Sequence, residues 1–145
     1  MNGCLICERV KSAQEGKNSF LIREFKNSVF VIGDHQFFKG YSLLLLKDHV
    51  RELHELAPDI QQELFQELMT AGKAVFETFK PWKMNYSCYG NEVPHIHWHI
   101  FPRYESDPFR LNNPWLNSAQ FKEHPTKETE REKLIEKIRL KLKTQ

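Results

Sequence analysis

Apolar positions fall into short runs in the first half of the chain and into one helical stripe in the middle. Phe20-Leu21-Ile22-Arg23 and Val29-Phe30-Val31-Ile32 are rich in strand formers and flank the turn-like Lys26-Asn27-Ser28, a pattern that predicts a hairpin. Leu43-Leu44-Leu45-Leu46 is a continuous apolar run after Gly40. Its shortness and its glycine boundary favour a strand buried on both faces over a piece of helix. Ile60, Leu64, Leu68, Ala71, Val75 and Phe79 recur at intervals of three and four, which predicts a core helix over 58–79. Pro58 suits its first turn and Pro81 stops it. Strands are expected at 83–89 and 95–101, around the turn Gly90-Asn91. A second helix is expected from Thr126, with Thr129 and Glu132 as a capping box and Leu134, Ile135, Ile138 and Leu142 as its apolar side.

The strand at 95–101 carries the candidate chemistry. Successive side chains of a strand point to opposite faces. Ile96, Trp98 and Ile100 therefore share one face, the core side, and His95, His97 and His99 share the other. Three imidazoles in a row suit a metal site or a reactive surface, not packing. Alternate residues on a strand lie roughly 6.6–6.8 Å apart, whereas a zinc–nitrogen bond is about 2.0–2.1 Å. Neighbouring histidines can chelate one ion, but all three on one ion would need severe bending. The row reads as histidines with different jobs.

Composition narrows the class. With 145 residues, 40% of them hydrophobic, the chain is expected to form one domain with a core large enough to need no disulfides. Lys plus Arg is 21 and Asp plus Glu is 19, for a net charge of +2. That balance argues against a nucleic-acid groove or a membrane-surface protein. No apolar run approaches the ~20 residues of a membrane helix. The first ten residues, MNGCLICERV, are too polar for a secretory signal. Three cysteines, an odd number, suggest a reducing compartment, with the cytoplasm as the expectation.

His95-Ile96-His97-Trp98-His99-Ile100-Phe101 resembles the signature of the histidine-triad superfamily of nucleotide hydrolases and transferases. Gly40-Tyr41-Ser42-Leu43-Leu44-Leu45-Leu46-Lys47-Asp48-His49 resembles that family's buried strand ending in Lys-x-His. The segment from Asn85 to Pro94 resembles its strand and turn before the triad, and Pro102-Arg103 the pair that often follows. The similarity runs over 4–115. It implies an α+β fold: a five-stranded antiparallel sheet with one long helix on its apolar face. Residues 1–118 would form the histidine-triad domain, and 119–145 a helical extension packed on it. Members commonly dimerise, so a homodimer is expected.

The resemblance makes His97 the nucleophile, attacking the α-phosphorus of a nucleotide to form a nucleotidyl-histidine intermediate that water hydrolyses. Imidazole must be neutral to attack, and its ordinary pKa of about 6.5 allows this at pH 7. In the family, a backbone carbonyl of the triad strand holds the proton on the other ring nitrogen. Donors aimed at the phosphoryl oxygens lower the barrier. His99 is the first candidate, then Asn91 and, more weakly, Asn85. Asp34 stands where relatives place an acid on the ribose hydroxyls, and it reads equally as an exposed turn residue. Arg103 reads as a phosphate contact or, in preference, as a strand cap. Tyr41 is a departure: many relatives carry histidine there, so that side chain's role does not transfer.

Cys4-Leu5-Ile6-Cys7 is a C-x-x-C motif, and alone it leaves a redox pair, a metal clip and coincidence open. A subset of the family binds zinc through such a pair plus two histidines, which match His49 and His95 here. Two thiolates and two imidazoles would make a closed, structural zinc site. Cys88 reads as a core residue, and His35, His54 and His124 as ordinary surface or loop residues. The leading expectation is an enzyme acting on purine nucleotides, of the dinucleoside polyphosphate or nucleoside phosphoramidate type. The alternatives are a nucleotide-binding regulatory module and a zinc-dependent interaction domain.

Overall fold

The computed structural model describes residues 3–143. Five strands, β1 (Leu21–Glu24), β2 (Ser28–Ile32), β3 (Ser42–Leu46), β4 (Lys83–Ser87) and β5 (His97–Arg103), form one antiparallel sheet in the order β1-β2-β3-β5-β4. Three α-helices surround it: α1 (Leu5–Gln14), α2 (Pro58–Phe79) and α3 (Glu128–Leu142). The expected hairpin, buried strand and long helix are all present. β2 and β3 are buried along their whole lengths, which explains why neither shows apolar–polar alternation.

One apolar layer lies between the sheet and α2. Phe30, Ile32, Leu44, Leu46, Ile96 and Ile100 meet Leu64, Leu68, Ala71 and Val75 there, and Leu134, Ile135, Ile138 and Leu142 of α3 close its side. Gly72 has a packing reason: a Cβ there would overlap the Tyr86 ring of β4. The second face is also covered. Ile6, Val10 and Ala13 of α1, together with Phe38, Tyr41 and Phe121, pack on Val29, Val31, Leu43, Leu45 and Phe101. α1 itself was not anticipated. Its buried residues have helical spacing, but the two cysteines beside them dominate the reading of that stretch.

The C-terminal part returns along this second face. A 3-10 segment, Pro114–Glu123, leads to a bridge between Pro125 and His35. The Thr126 hydroxyl donates to the Gly33 carbonyl at 2.6 Å. Thr126 thus anchors the strap, and α3 starts at Glu128 behind Lys127 with no side-chain cap. The capping box read at Thr129 and Glu132 is therefore absent; Thr129 lies inside the helix. Residues 118 and 119 both lie within the 3-10 segment.

His35, read as a surface or loop histidine, lies in the loop after β2 but is not exposed. It is buried, stacked between Tyr41 at 4.3 Å and Phe121 at 4.1 Å, and its Nδ1 lacks a partner. Burial pushes its pKa down to about 4, against about 6.5 unfolded. Between those values the unfolded chain binds the extra proton, so stability falls as pH drops from about 6.5 toward about 4 and is fully kept above that window. At pH 5 the loss from this one ring is about 2 kcal/mol. Urea unfolding at pH 7.5 and pH 5.0 checks it. His35→Phe keeps the stack and should lose that share of the acid sensitivity; an unchanged difference between the two pH values would refute the assignment.

Candidate active site

The pairing of β3 between β2 and β5 aligns two rows across the sheet. Val29 lies opposite Leu45 and Leu45 opposite His97; Val31 lies opposite Leu43 and Leu43 opposite His99. His97 and His99 therefore share the second face with the apolar floor under α1. His95 lies just before β5 and is fully buried.

Each histidine of the row has a different partner. The His95 Nε2–H donates to the Leu46 carbonyl at 2.8 Å. That fixes the tautomer and leaves the Nδ1 lone pair facing Cys4 Sγ at 3.4 Å and Cys7 Sγ at 3.5 Å. Cys7 Sγ also lies 3.2 Å from His49 Nδ1. Cys4 is the N-cap residue of α1 and Cys7 lies in its first turn, so one helix end presents both sulfurs. All four ligand atoms lie within 4.8 Å of one another. Zinc bond lengths of about 2.3 Å to sulfur and 2.0–2.1 Å to nitrogen give tetrahedral S···N edges of about 3.6 Å. The spacing and the donor set fit a tetrahedral divalent ion. Burial, and then the neighbouring Cys4, push the Cys7 thiol upward; a bound cation reverses that and favours the thiolate.

The His97 Nδ1–H donates to the backbone carbonyl of His95 at 2.6 Å. This leaves the Nε2 lone pair free. His99 lies beside it, with ring centroids 5.0 Å apart. Its Nδ1 is 2.7 Å from the Tyr41 hydroxyl. Burial first, then the neighbouring His97, push His99 down to about 3, so its ring is neutral at pH 7.

His97 and His99 line a cavity of about 420 Å³ with Asn91, Glu92, Val93, Asn113, Trp115, Tyr89 and Gly90. Asn91 is thus brought to the two histidines. Asn85 is not. Its amide oxygen accepts from Arg103 at 3.0 Å, and it lines the neighbouring groove. Arg103 is buried, paired with Asp107 at 3.1 Å, and bonded to the carbonyls of Phe109 and Asn112. It pins the loop after β5, in keeping with the strand-cap reading. Asp34 lies in a separate groove of about 330 Å³ with Phe20, Val31 and Arg9, and Arg9 holds it at 3.3 Å. That groove is on the same face, because Val31 and His99 belong to one row.

Sequence reasoning missed Tyr41, Arg9, Asn113 and Trp115 as site neighbours. Trp115 packs edge-on against His99 at 4.8 Å and donates its indole N–H to Ser87. Nothing in its local pattern announces this, since the strap that carries it is irregular. An earlier signal existed for Tyr41, the departure itself.

A sheet with one histidine turned to a sulfur pair and two turned to a cavity defines a histidine-triad protein. The family model described as the HIT domain matches residues 14–106, and the chain belongs to that family. The chain is 28% identical over 74 residues to "Protein hit" of Bacillus subtilis, covering 48% of this chain and 51% of that protein. It therefore spans about half the length of the curated relative it matches. Among solved structures, it resembles a histidine triad protein from Marinobacter aquaeolei at TM-score 0.75 and 24% identity, over 86% of this chain and 88% of that one. It also resembles a Zn-bound histidine triad family protein from Mycobacterium smegmatis at TM-score 0.69 and 21% identity, over 98% and 94%. Asn113 and Trp115 lie beyond the family match.

Proposed function

We propose that this protein is a nucleotidyl hydrolase or transferase that acts at the α-phosphate of purine nucleotides, of the dinucleoside polyphosphate or nucleoside phosphoramidate type. The observation that carries this is the His97 ring, which lines the cavity with its Nδ1–H held on the His95 carbonyl, so that its Nε2 keeps a lone pair. In the first step His97 Nε2 bonds to phosphorus, and the bond from phosphorus to the leaving oxygen or nitrogen breaks with its electron pair. In the second, water adds to phosphorus and the N–P bond breaks with its electron pair on nitrogen, returning the neutral ring, and the proton that water loses balances, through solvent, the one the leaving group took up. Splitting the displacement this way is the gain of covalent catalysis.

His99 and the amide of Asn91 bind the phosphoryl oxygens. Asp34 takes the ribose hydroxyls, since a nucleotide laid along the row Val31, Leu43, His99 crosses two strand spacings, about 9–10 Å. Arg9 must then share Asp34 with the sugar. Asn85 serves to hold Arg103. Cys4, Cys7, His49 and His95 hold a structural zinc ion, which ties α1 to the strand. The assembly is a homodimer: β4 is an exposed sheet edge, and Phe65, Met69 and Phe76 form an exposed stripe on α2 beside it. The near-neutral charge supports no nucleic-acid or membrane partner, and no described helix is long and apolar enough to cross a membrane. The odd number of cysteines, three, supports a cytoplasmic setting.

The test is to incubate the protein with a fluorogenic adenylyl phosphoramidate and, separately, with diadenosine tetraphosphate. Release of AMP or fluorophore is expected, together with an acid-labile adenylyl adduct on His97 in quenched samples. AMP binding without turnover of either compound would instead favour a regulatory binding module. Absence of both binding and turnover would leave a zinc-held interaction domain.

A further inference from the structure

The phenol of Tyr41 is buried against Phe101, with ring centroids 4.6 Å apart and nearly parallel, and its hydroxyl touches one polar group, His99 Nδ1 at 2.7 Å. Two proton arrangements fit that distance. If His99 donated from Nδ1, the phenolic hydrogen would be buried without an acceptor among the described residues, a cost of about 1–3 kcal/mol. If Tyr41 donates, both groups are satisfied. A neutral ring whose Nδ1 accepts must carry its proton on Nε2.

We propose that Tyr41 is a positioning residue that fixes the tautomer of His99, turning its Nε2–H toward the cavity as a permanent neutral donor. Burial first, and then the nearby Asp34 carboxylate, push the Tyr41 phenol upward, so it keeps the proton it donates. The same burial keeps His99 from taking a second proton. Gly33 makes the arrangement possible, because a Cβ there would overlap the Tyr41 ring. His35 and Phe101 sandwich that ring, at 4.3 and 4.6 Å, and hold its plane. The side chain that departs from the triad pattern thus does orienting work through a phenol. The consequence for phosphate recognition rests on the function proposed above; the tautomer does not.

The row of histidines then has alternating proton positions. His95 is protonated on Nε2, His97 on Nδ1 and His99 on Nε2. One ring presents a lone pair to the metal-ligand cluster, one a lone pair to phosphorus, and one a hydrogen to the phosphoryl oxygens.

The experiment is a two-bond ¹⁵N–¹H correlation spectrum of protein labelled at histidine nitrogens, with His99 assigned through a His99→Gln variant. Wild type at pH 7 is expected to show His99 protonated at Nε2. Tyr41→Phe keeps the ring and removes the hydroxyl; it should shift His99 toward a mixture of tautomers and lower kcat about tenfold, with KM changed less than twofold. Tyr41→His, which restores a ring N–H at this position, should recover part of the loss. A wild-type His99 carrying its proton on Nδ1 overturns the proposal, as does a Tyr41→Phe protein with unchanged tautomer. If wild type turns over no nucleotide, the proposed function fails, and the tautomer readout alone decides the role of Tyr41.

Discussion

His97→Ala is expected to lower turnover by about 10³-fold or more while leaving AMP affinity within a few-fold of wild type. The size of the effect follows from the absence of a substitute. His95 directs its lone pair at Cys4 and Cys7, and His99 spends its lone pair on Tyr41. Neither can attack phosphorus without breaking a buried hydrogen bond. What remains is direct attack by water in a site that still offers the Asn91 and His99 donors, which accounts for the residual rate. His97 is largely buried, so the variant's melting temperature should be measured alongside. A rate within tenfold of wild type in a folded variant would remove His97 as nucleophile. His97→Gly with added imidazole is the complementary check, since a free ring can enter the vacated space and restore part of the rate.

Much of this arrangement was legible in the residues. The alternation from His95 to Phe101 set which rings share a face, and strand geometry argued that they do different work. In the structure one ring faces the sulfurs and two line a cavity. α2 was legible because its stripe is long and bounded by prolines. The second sheet layer was not. Its members come from α1, the 37–41 loop and the strap around Phe121, which are distant in sequence and carry no joint period. The partner of Asn85 was hidden for a related reason. Its place in the strand was read correctly, but a buried Arg103 from β5 competes for the same amide. His35 reads as a loop histidine until Phe121, 86 residues later in the chain, is known to stack on it.

Removing zinc is expected to lower the melting temperature by about 10 °C and to slow the enzyme at the same time. Structural zinc contributes about 10–16 kcal/mol of apparent binding energy in peptides that cannot fold without it. This chain has apolar layers on both faces of its sheet, so it should remain folded without metal, with a loss of about 3–5 kcal/mol. For a chain of this length that corresponds to roughly 2–4 °C per kcal/mol. The coupling to catalysis is geometric. The ring of His95 is one of the four proposed zinc ligands, and its carbonyl accepts the hydrogen bond from His97 Nδ1. Releasing the ring lets that carbonyl move and loosens the hydrogen bond that aims the nucleophile, so kcat should fall more than KM rises. Metal analysis should find one zinc per chain, and EDTA should shift the thermal transition. A Cys4→Ser, Cys7→Ser protein should melt at the lower temperature with or without chelator. Purified protein that carries no metal, and whose melting and turnover ignore both EDTA and the serine pair, would show that the sulfurs and imidazoles merely pack together.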